Sequence, residues 1–108
     1  MKMFQLHIGS DSQTKQIPAA TEKRICQMVG KVFESFTVLR GYGFFCGTAE
    51  EVLIVKIATT DETAIWSLAH RLRKGLQQAG IGIEFNGIYE RATAPIATKN
   101  CRARKPRR

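Results

Sequence analysis

The chain lacks most of the residue patterns that identify metal, disulfide and nucleotide sites. It has 108 residues but only two histidines and three cysteines, which excludes a histidine-rich metal site. Cys26, Cys46 and Cys101 are far apart, with no C-x-x-C pair and no histidine at ligand spacing, a pattern that argues against a disulfide framework or a zinc site. Neither G-x-G-x-x-G after a strand nor G-x-x-x-x-G-K-[ST] occurs. We therefore predict no metal and no cofactor.

Long apolar runs are also missing. No stretch approaches the roughly 20 apolar residues that a membrane-spanning helix needs, so no membrane association is predicted. The segment Met1–Ile8 has neither the continuous apolar run nor the small-residue cleavage site of a signal peptide. The sequence therefore predicts a cytoplasmic protein.

Acidic residues are absent from the last eighteen positions, which carry seven of the seventeen Lys and Arg residues. Residues 1–90 then hold ten basic and nine acidic groups. This contrast predicts a nearly neutral domain over 1–90 and a basic tail over 91–108, which can attract polyanions weakly. The candidate nucleic-acid contacts of the tail are Lys99, Arg102, Arg104, Lys105, Arg107 and Arg108.

The apolar spacing alternates between strand and helix periods. Thr59 and Glu62 have the spacing of a capping box before the second helix, and Gly80 is the expected end of that helix. The predicted elements are a strand over 2–9, a helix from Pro18, strands over 36–47 and 52–58, a helix over 60–79 and a strand over 81–85. This order predicts a ferredoxin-like βαββαβ fold of the α+β class, a four-stranded antiparallel sheet with both helices on one face.

The open face of such a sheet is predicted to carry the functional surface. The expected ligand or interface residues are His7, Val38, Arg40, Tyr42, Phe44, Val52 and Ile54, with the second strand assigned on the assumption that its alternation is unbroken. A contiguous apolar patch usually marks an interface or a binding groove. Symmetric self-association is the common way to cover such a surface, so a homo-oligomer is predicted.

The segment from Arg40 to Gly47 nearly matches the main signature of the RNA-recognition motif, with five leading positions in agreement. That signature places stacking aromatic residues on a central strand, whereas this segment is predicted to lie on an edge strand. The match is therefore interpreted as coincidental.

The strand from Phe36 to Phe45, followed by an aliphatic strand and an amphipathic helix, resembles a family of small uncharacterised bacterial α+β proteins with an F-T-V-x-x-G-x-G-x-aromatic strand. The resemblance covers about residues 4–85 and implies a ferredoxin-like fold without implying an activity. Trimeric nitrogen-regulatory proteins share this topology, but their long nucleotide-binding loop has no counterpart in this sequence.

Few residues suit catalysis. His7 and Tyr42 form the best acid–base pair, provided that the open face forms a pocket. Trp66, His70 and Arg73 are spaced to line a cleft on the second helix, although simple packing is the preferred interpretation. No catalytic residue is assigned. The preferred hypothesis is a self-associating binding or regulatory domain. The alternatives are a nucleic-acid-binding protein that uses the tail and sheet, and a small enzyme with its site at an oligomer interface.

Overall fold

The computed structural model describes residues 1–11 and 13–93. These residues form an antiparallel sheet with two helices, and none of the helices in this part of the chain is long and apolar enough to cross a membrane. The elements are β1 (Lys2–Gly9), α1 (Ala19–Gly30), β2 (Thr37–Phe45), β3 (Thr48–Thr59), α2 (Glu62–Gly75), β4 (Gly80–Phe85) and β5 (Ile88–Thr93).

The sheet has five strands in the order β2-β3-β1-β4-β5. The α+β class is confirmed, but the predicted count of four strands is wrong because β5 extends the sheet beyond β4. Asn86 and Gly87 both have positive φ, as a two-residue hairpin turn requires. Since β5 is an exposed edge strand with charged residues at Glu90 and Arg91, it lacks the apolar alternation that reveals the other strands.

One buried cluster joins both helices to the same face of the sheet. Alternate residues of β1, β3 and β4 point into this cluster, and α1 and α2 each contribute a buried stripe. The fully buried large side chains are Phe4, Leu6, Ile8, Ile25, Val29, Leu53, Val55, Ile57, Ile65, Leu68, Leu72 and Ile81. Because the helices cover this face, the alternate residues of the strands form an open face.

Several element boundaries differ from those predicted. Cys46 and Gly47 form the turn between β2 and β3, with φ of 55° and 81°, so β3 begins at Thr48 and not at Val52. Asp61, and not Thr59, caps α2: its side chain accepts a hydrogen bond from the backbone of Ala64 at 3.0 Å. The helix ends at Gly75, and Gly80 begins β4.

The tight turn after β2 also corrects the predicted face of that strand. Phe45 lies opposite Thr48, which places Val38 opposite Val55 and Tyr42 opposite Glu51. Directly opposed residues of antiparallel strands point to the same face. The sequence assignment to the open face is therefore wrong for four residues, which lie on the helix-bearing face: Val38, Arg40, Tyr42 and Phe44.

Candidate functional site

A polar cluster of His7, Glu84 and Tyr89 lies on the open face of the sheet. His7 on β1 is opposite Gly82 of β4, and Glu84 of β4 is opposite Tyr89 of β5. The Nε2 atom of His7 is 3.2 Å from Oε1 of Glu84. The His7 and Tyr89 rings meet edge to face, with centroids 5.5 Å apart. Three neighbouring strands thus bring an imidazole, a carboxylate and a phenol together.

Two glycines of β4 make room for the side chains of β5. A β-carbon on Gly82 would overlap the Tyr89 hydroxyl and lie 2.6 Å from its Cε1. A β-carbon on Gly80 would lie 2.7 Å from an Nη atom of Arg91. Both glycines are buried beneath these side chains. The absence of side chains at Gly80 and Gly82 therefore lets Tyr89 and Arg91 lie across the sheet.

The cluster borders an open groove of about 1240 Å³ at one end of the sheet. Besides His7, Tyr89 and Arg91, the groove is lined by the β1–α1 loop, the β2–β3 hairpin and the loop before β4. No atom outside the neighbouring residues would lie within 4 Å of a β-carbon at Gly9 or Gly43, so the groove is open above these positions.

Acidic side chains at the end of the groove are held by basic and backbone groups. The Glu50 carboxylate accepts a hydrogen bond from Ser10 Oγ at 3.2 Å and lies 3.5 Å from Lys15 Nζ. The Glu51 carboxylate accepts from the backbone of Ile17 at 2.6 Å and from Arg40 at 3.1 Å. These contacts connect the β1–α1 loop to the β2–β3 hairpin.

Arg40 stabilises the groove from the helix side. Its guanidinium donates to Glu22 on α1 at 2.8 Å and to the carbonyl oxygen of Ile17 at 2.7 Å. The hydrogen bond to Glu22, together with the charges of Glu22 and Glu51, raises the pKa of Arg40. On the same helix, desolvation raises the pKa of the Cys26 thiol, and the Glu22 charge raises it further. Arg40 is thus a structural anchor of the loop.

The structure brings together only part of the predicted site. His7 is in the cluster, and Val52 and Ile54 lie beside it on the open face, with Ile54 directly opposite His7. His7 and Tyr42 cannot act as an acid–base pair because their side chains leave opposite faces of the sheet. The six basic tail residues named above lie outside the described part of the chain.

Sequence reasoning missed Glu84, Tyr89 and Arg91. The sequence signal for these residues is a pair of glycines at alternate positions, 80 and 82, followed by an Asn-Gly turn and by Tyr89 and Arg91 at alternate positions. When the two strands pair as a hairpin, the two large polar side chains lie above the two glycines.

The predicted contact on the second helix is present but lies apart from the groove. The Arg73 Nε atom donates to His70 Nδ1 at 3.4 Å, and the His70 ring is 6.5 Å from that of Trp66. Arg73 is buried. Since none of these residues lines the groove, the contact belongs to the packing of α2.

The open-face cluster has the components for binding and proton transfer. An imidazole and a carboxylate can each accept or donate a proton, and the carboxylate and phenol ring can both attract a cation. Within residues 1–11 and 13–93, no three His, Cys, Asp or Glu side chains are grouped to hold a metal ion.

Comparison with known proteins shows a fold likeness and no family. No protein-family model matches the chain, and no curated protein matches it significantly. Among solved structures, the chain is similar to a phage SAM lyase in the apo state, with 16% identity, 90% coverage of this chain, 92% of that chain and a TM-score of 0.57. A phage SAM lyase in complex with S-methyl-5'-thioadenosine matches with 18% identity, the same coverages and a TM-score of 0.52. At these identities, the likeness establishes a shared fold.

Proposed function

We propose that the chain binds S-adenosylmethionine on the open face of its sheet and cleaves it as a lyase, releasing S-methyl-5'-thioadenosine. The observation that carries this proposal is the His7–Glu84–Tyr89 cluster beside an open groove. The fold likeness to phage SAM lyases, across 90% of the chain, indicates which ligand to test.

The chemistry of the cluster suits this ligand. S-adenosylmethionine carries a positive sulfonium next to a flat purine nucleoside. The Glu84 carboxylate and the face of Tyr89 both attract a cation, and a cation over an aromatic ring gains about 0.5–2 kcal/mol. The space above Gly9 and Gly43 is open and leaves room for a ligand.

The proposed reaction requires a base that accepts one proton. When the bond between sulfur and the methionyl chain breaks, its electron pair stays on sulfur, and the sulfonium becomes the neutral thioether of S-methyl-5'-thioadenosine. If the four-carbon fragment leaves by elimination, it loses a proton from the adjacent carbon. His7 and Glu84, hydrogen-bonded at 3.2 Å, are the groups in the cluster that can take this proton.

The test is a direct assay of the reaction. The protein is incubated with S-adenosylmethionine, and S-methyl-5'-thioadenosine is followed by liquid chromatography. We expect turnover by the natural protein and at least a roughly hundredfold loss in Glu84→Gln, since one positioned acid–base group contributes about 10²–10⁴-fold. Glu34→Gln is the matched control because Glu34 is exposed and lies outside the groove.

A second pair of variants tests whether a loss of turnover is specific to the cluster or follows from removal of any surface tyrosine. Tyr89→Leu removes the aromatic ring beside His7, whereas Tyr42→Leu removes an aromatic ring on the opposite face, where Tyr42 is 73% exposed. The proposal predicts a loss only in Tyr89→Leu. Absence of both turnover and S-methyl-5'-thioadenosine binding in the natural protein would refute it.

We also infer that β1–β4 and the two helices form a ferredoxin-like unit with β5 added at one edge, and that the chain self-associates. The strand order β2-β3-β1-β4 supports the first inference. Exposed apolar side chains on the open face support the second: Met3, Leu39 and Phe45 are 48%, 47% and 44% exposed.

A further inference from the structure

Arg91 is a positively charged group in the groove that the proposed reaction does not use. It lies on β5 directly opposite Gly82, which in turn lies opposite His7. Its guanidinium extends over Gly80, where a β-carbon would be 3.1 Å from Cζ. Arg91 therefore shares the open face with the cluster, and it can lie in the groove because Gly80 beneath it has no side chain.

This guanidinium has no carboxylate partner within the described residues. The ion pairs in residues 1–11 and 13–93 involve His7, Lys15 and Arg40. Glu84, the carboxylate of the cluster, is hydrogen-bonded to His7, and Glu50 is close to Lys15. The hydrogen-bond donors of Arg91 are thus available to an anionic group of a ligand in the groove.

We propose that Arg91 binds the carboxylate of the amino-acid part of the ligand and so selects adenosyl amino acids over S-methyl-5'-thioadenosine. The inference rests on the proposed function and names the residue that binds the amino-acid part of the ligand. The planar guanidinium presents paired N–H groups that match the two oxygens of a carboxylate.

The sheet geometry supports this division of the groove. His7 and Arg91 are separated by one intervening strand, which places their backbones about 10 Å apart. The Tyr89 side chain reaches over Gly82 between them. A nucleoside thioether beside His7 and Tyr89 therefore directs its amino-acid chain along the open face toward β5, where Arg91 lies.

A second groove arginine offers a matched control. Arg24 also lines the groove, but it extends from α1 toward Gly75, on the helix side of the sheet. A nonspecific attraction between the groove and an anion involves both arginines, whereas the proposed contact involves Arg91 alone. Both side chains are exposed, so either is replaceable with little effect on folding.

The experiment compares two thioethers with an uncharged sulfur, of which only S-adenosylhomocysteine carries the amino-acid part. Isothermal titration calorimetry measures the Kd of S-adenosylhomocysteine and of S-methyl-5'-thioadenosine for the natural protein, Arg91→Gln, Arg91→Lys and Arg24→Gln. A charge-assisted hydrogen bond contributes about 1.5–3 kcal/mol, equivalent to roughly 10- to 150-fold in Kd. We expect Arg91→Gln to raise the Kd of S-adenosylhomocysteine by this factor and to leave the Kd of S-methyl-5'-thioadenosine within about twofold of its value for the natural protein.

Each remaining outcome is decisive. Arg91→Lys is expected to retain part of the preference because it keeps the charge and loses the planar pair of donors, and Arg24→Gln is expected to bind as the natural protein does. If Arg91→Gln weakens both thioethers equally, or neither, the carboxylate assignment is overturned while the proposed function stands. If the natural protein binds neither thioether, the carboxylate assignment is overturned, and if it also shows no turnover of S-adenosylmethionine, the proposed function itself fails.

Discussion

At the scale of single residues, the site depends on positions where a side chain is missing. Gly82 is buried in the middle of the open face because Tyr89 covers it. The Tyr89 ring is thereby held against His7, although Tyr89 itself is 56% exposed on an edge strand. The position of the phenol is thus fixed by a neighbouring glycine more than by burial.

Gly82→Ala is therefore expected to displace Tyr89 from His7. The added methyl overlaps the phenol, and the exposed ring can swing aside, so we expect destabilisation of about 1 kcal/mol, at the low end of overpacking effects. Loss of the edge-to-face contact is expected to shift the His7 ring-proton resonances and to weaken nucleoside binding about two- to tenfold. Nuclear magnetic resonance and calorimetry measure the two effects.

Gly43→Ala provides the control for this substitution. Gly43 lies on the same open face, but a β-carbon there has no atom within 4 Å outside the neighbouring residues. The His7 resonances should therefore be unchanged in Gly43→Ala. Equal shifts in both variants would show that the Tyr89 position does not depend on Gly82.

Residue patterns allowed only part of the site to be predicted. His7 was accessible to prediction because the β1 alternation is regular and fixes its face. Glu84 and Tyr89 were not, because their proximity to His7 depends on the pairing of β1 with β4 and of β4 with β5. The first of these pairings joins residues 77 positions apart, as in the His7–Glu84 contact, and local spacing does not encode it.

At the scale of elements, the start of α2 shows how local hydrogen bonds compete. Thr59 Oγ1 accepts from the backbone of Asp61 at 3.1 Å, and the Asp61 side chain accepts from the backbone of Ala64 at 3.0 Å. The predicted capping box pairs Thr59 with Glu62, but the helix starts two residues later than that motif requires. Asp61 also places a negative charge at the positive end of the helix.

Asp61→Ala is expected to lower the free energy of unfolding by about 1 kcal/mol, the usual cost of losing an N-cap side chain. Asp61→Asn keeps the acceptor oxygen and should recover most of this loss. Denaturant titration followed by circular dichroism measures both variants. A larger loss in Thr59→Ala than in Asp61→Ala would contradict the observed cap.

The strands differ in how clearly their sequences reveal them. β1 alternates apolar and polar residues, and β3 contains the apolar run Val52–Val55. Both strands were predicted, although β3 starts four residues before its apolar part. The face of β2 was predicted wrongly because the assignment assumed an unbroken alternation, which does not fix the face, whereas the Cys46–Gly47 turn sets the register. β5 was missed because its edge position permits charged residues, although the Asn86–Gly87 turn was recognised.

At the scale of the whole molecule, the open face combines a polar site with an apolar patch. Leu39 lies opposite Ile54, which lies opposite His7, so Leu39 and Ile54 form an apolar patch that adjoins the cluster across β2, β3 and β1. An uncovered patch of this kind is typical of interaction surfaces. Self-association through it would place a second copy at the border of the proposed nucleoside site.

Self-association through the open face predicts that a charge at Leu39 disrupts the oligomer. Leu39→Glu introduces a carboxylate where the proposed interface is apolar, and burying it without a partner costs at least about 1–3 kcal/mol, or roughly a 5- to 150-fold weaker association. Phe44→Glu is the matched control, since Phe44 is 75% exposed on the helix-bearing face. Light scattering at micromolar concentration should show an oligomer for the natural protein and Phe44→Glu, and a smaller mass for Leu39→Glu. A monomeric natural protein would rule out self-association. A loss of mass in Phe44→Glu alone would place the interface on the opposite face, where Tyr42 and Phe44 lie.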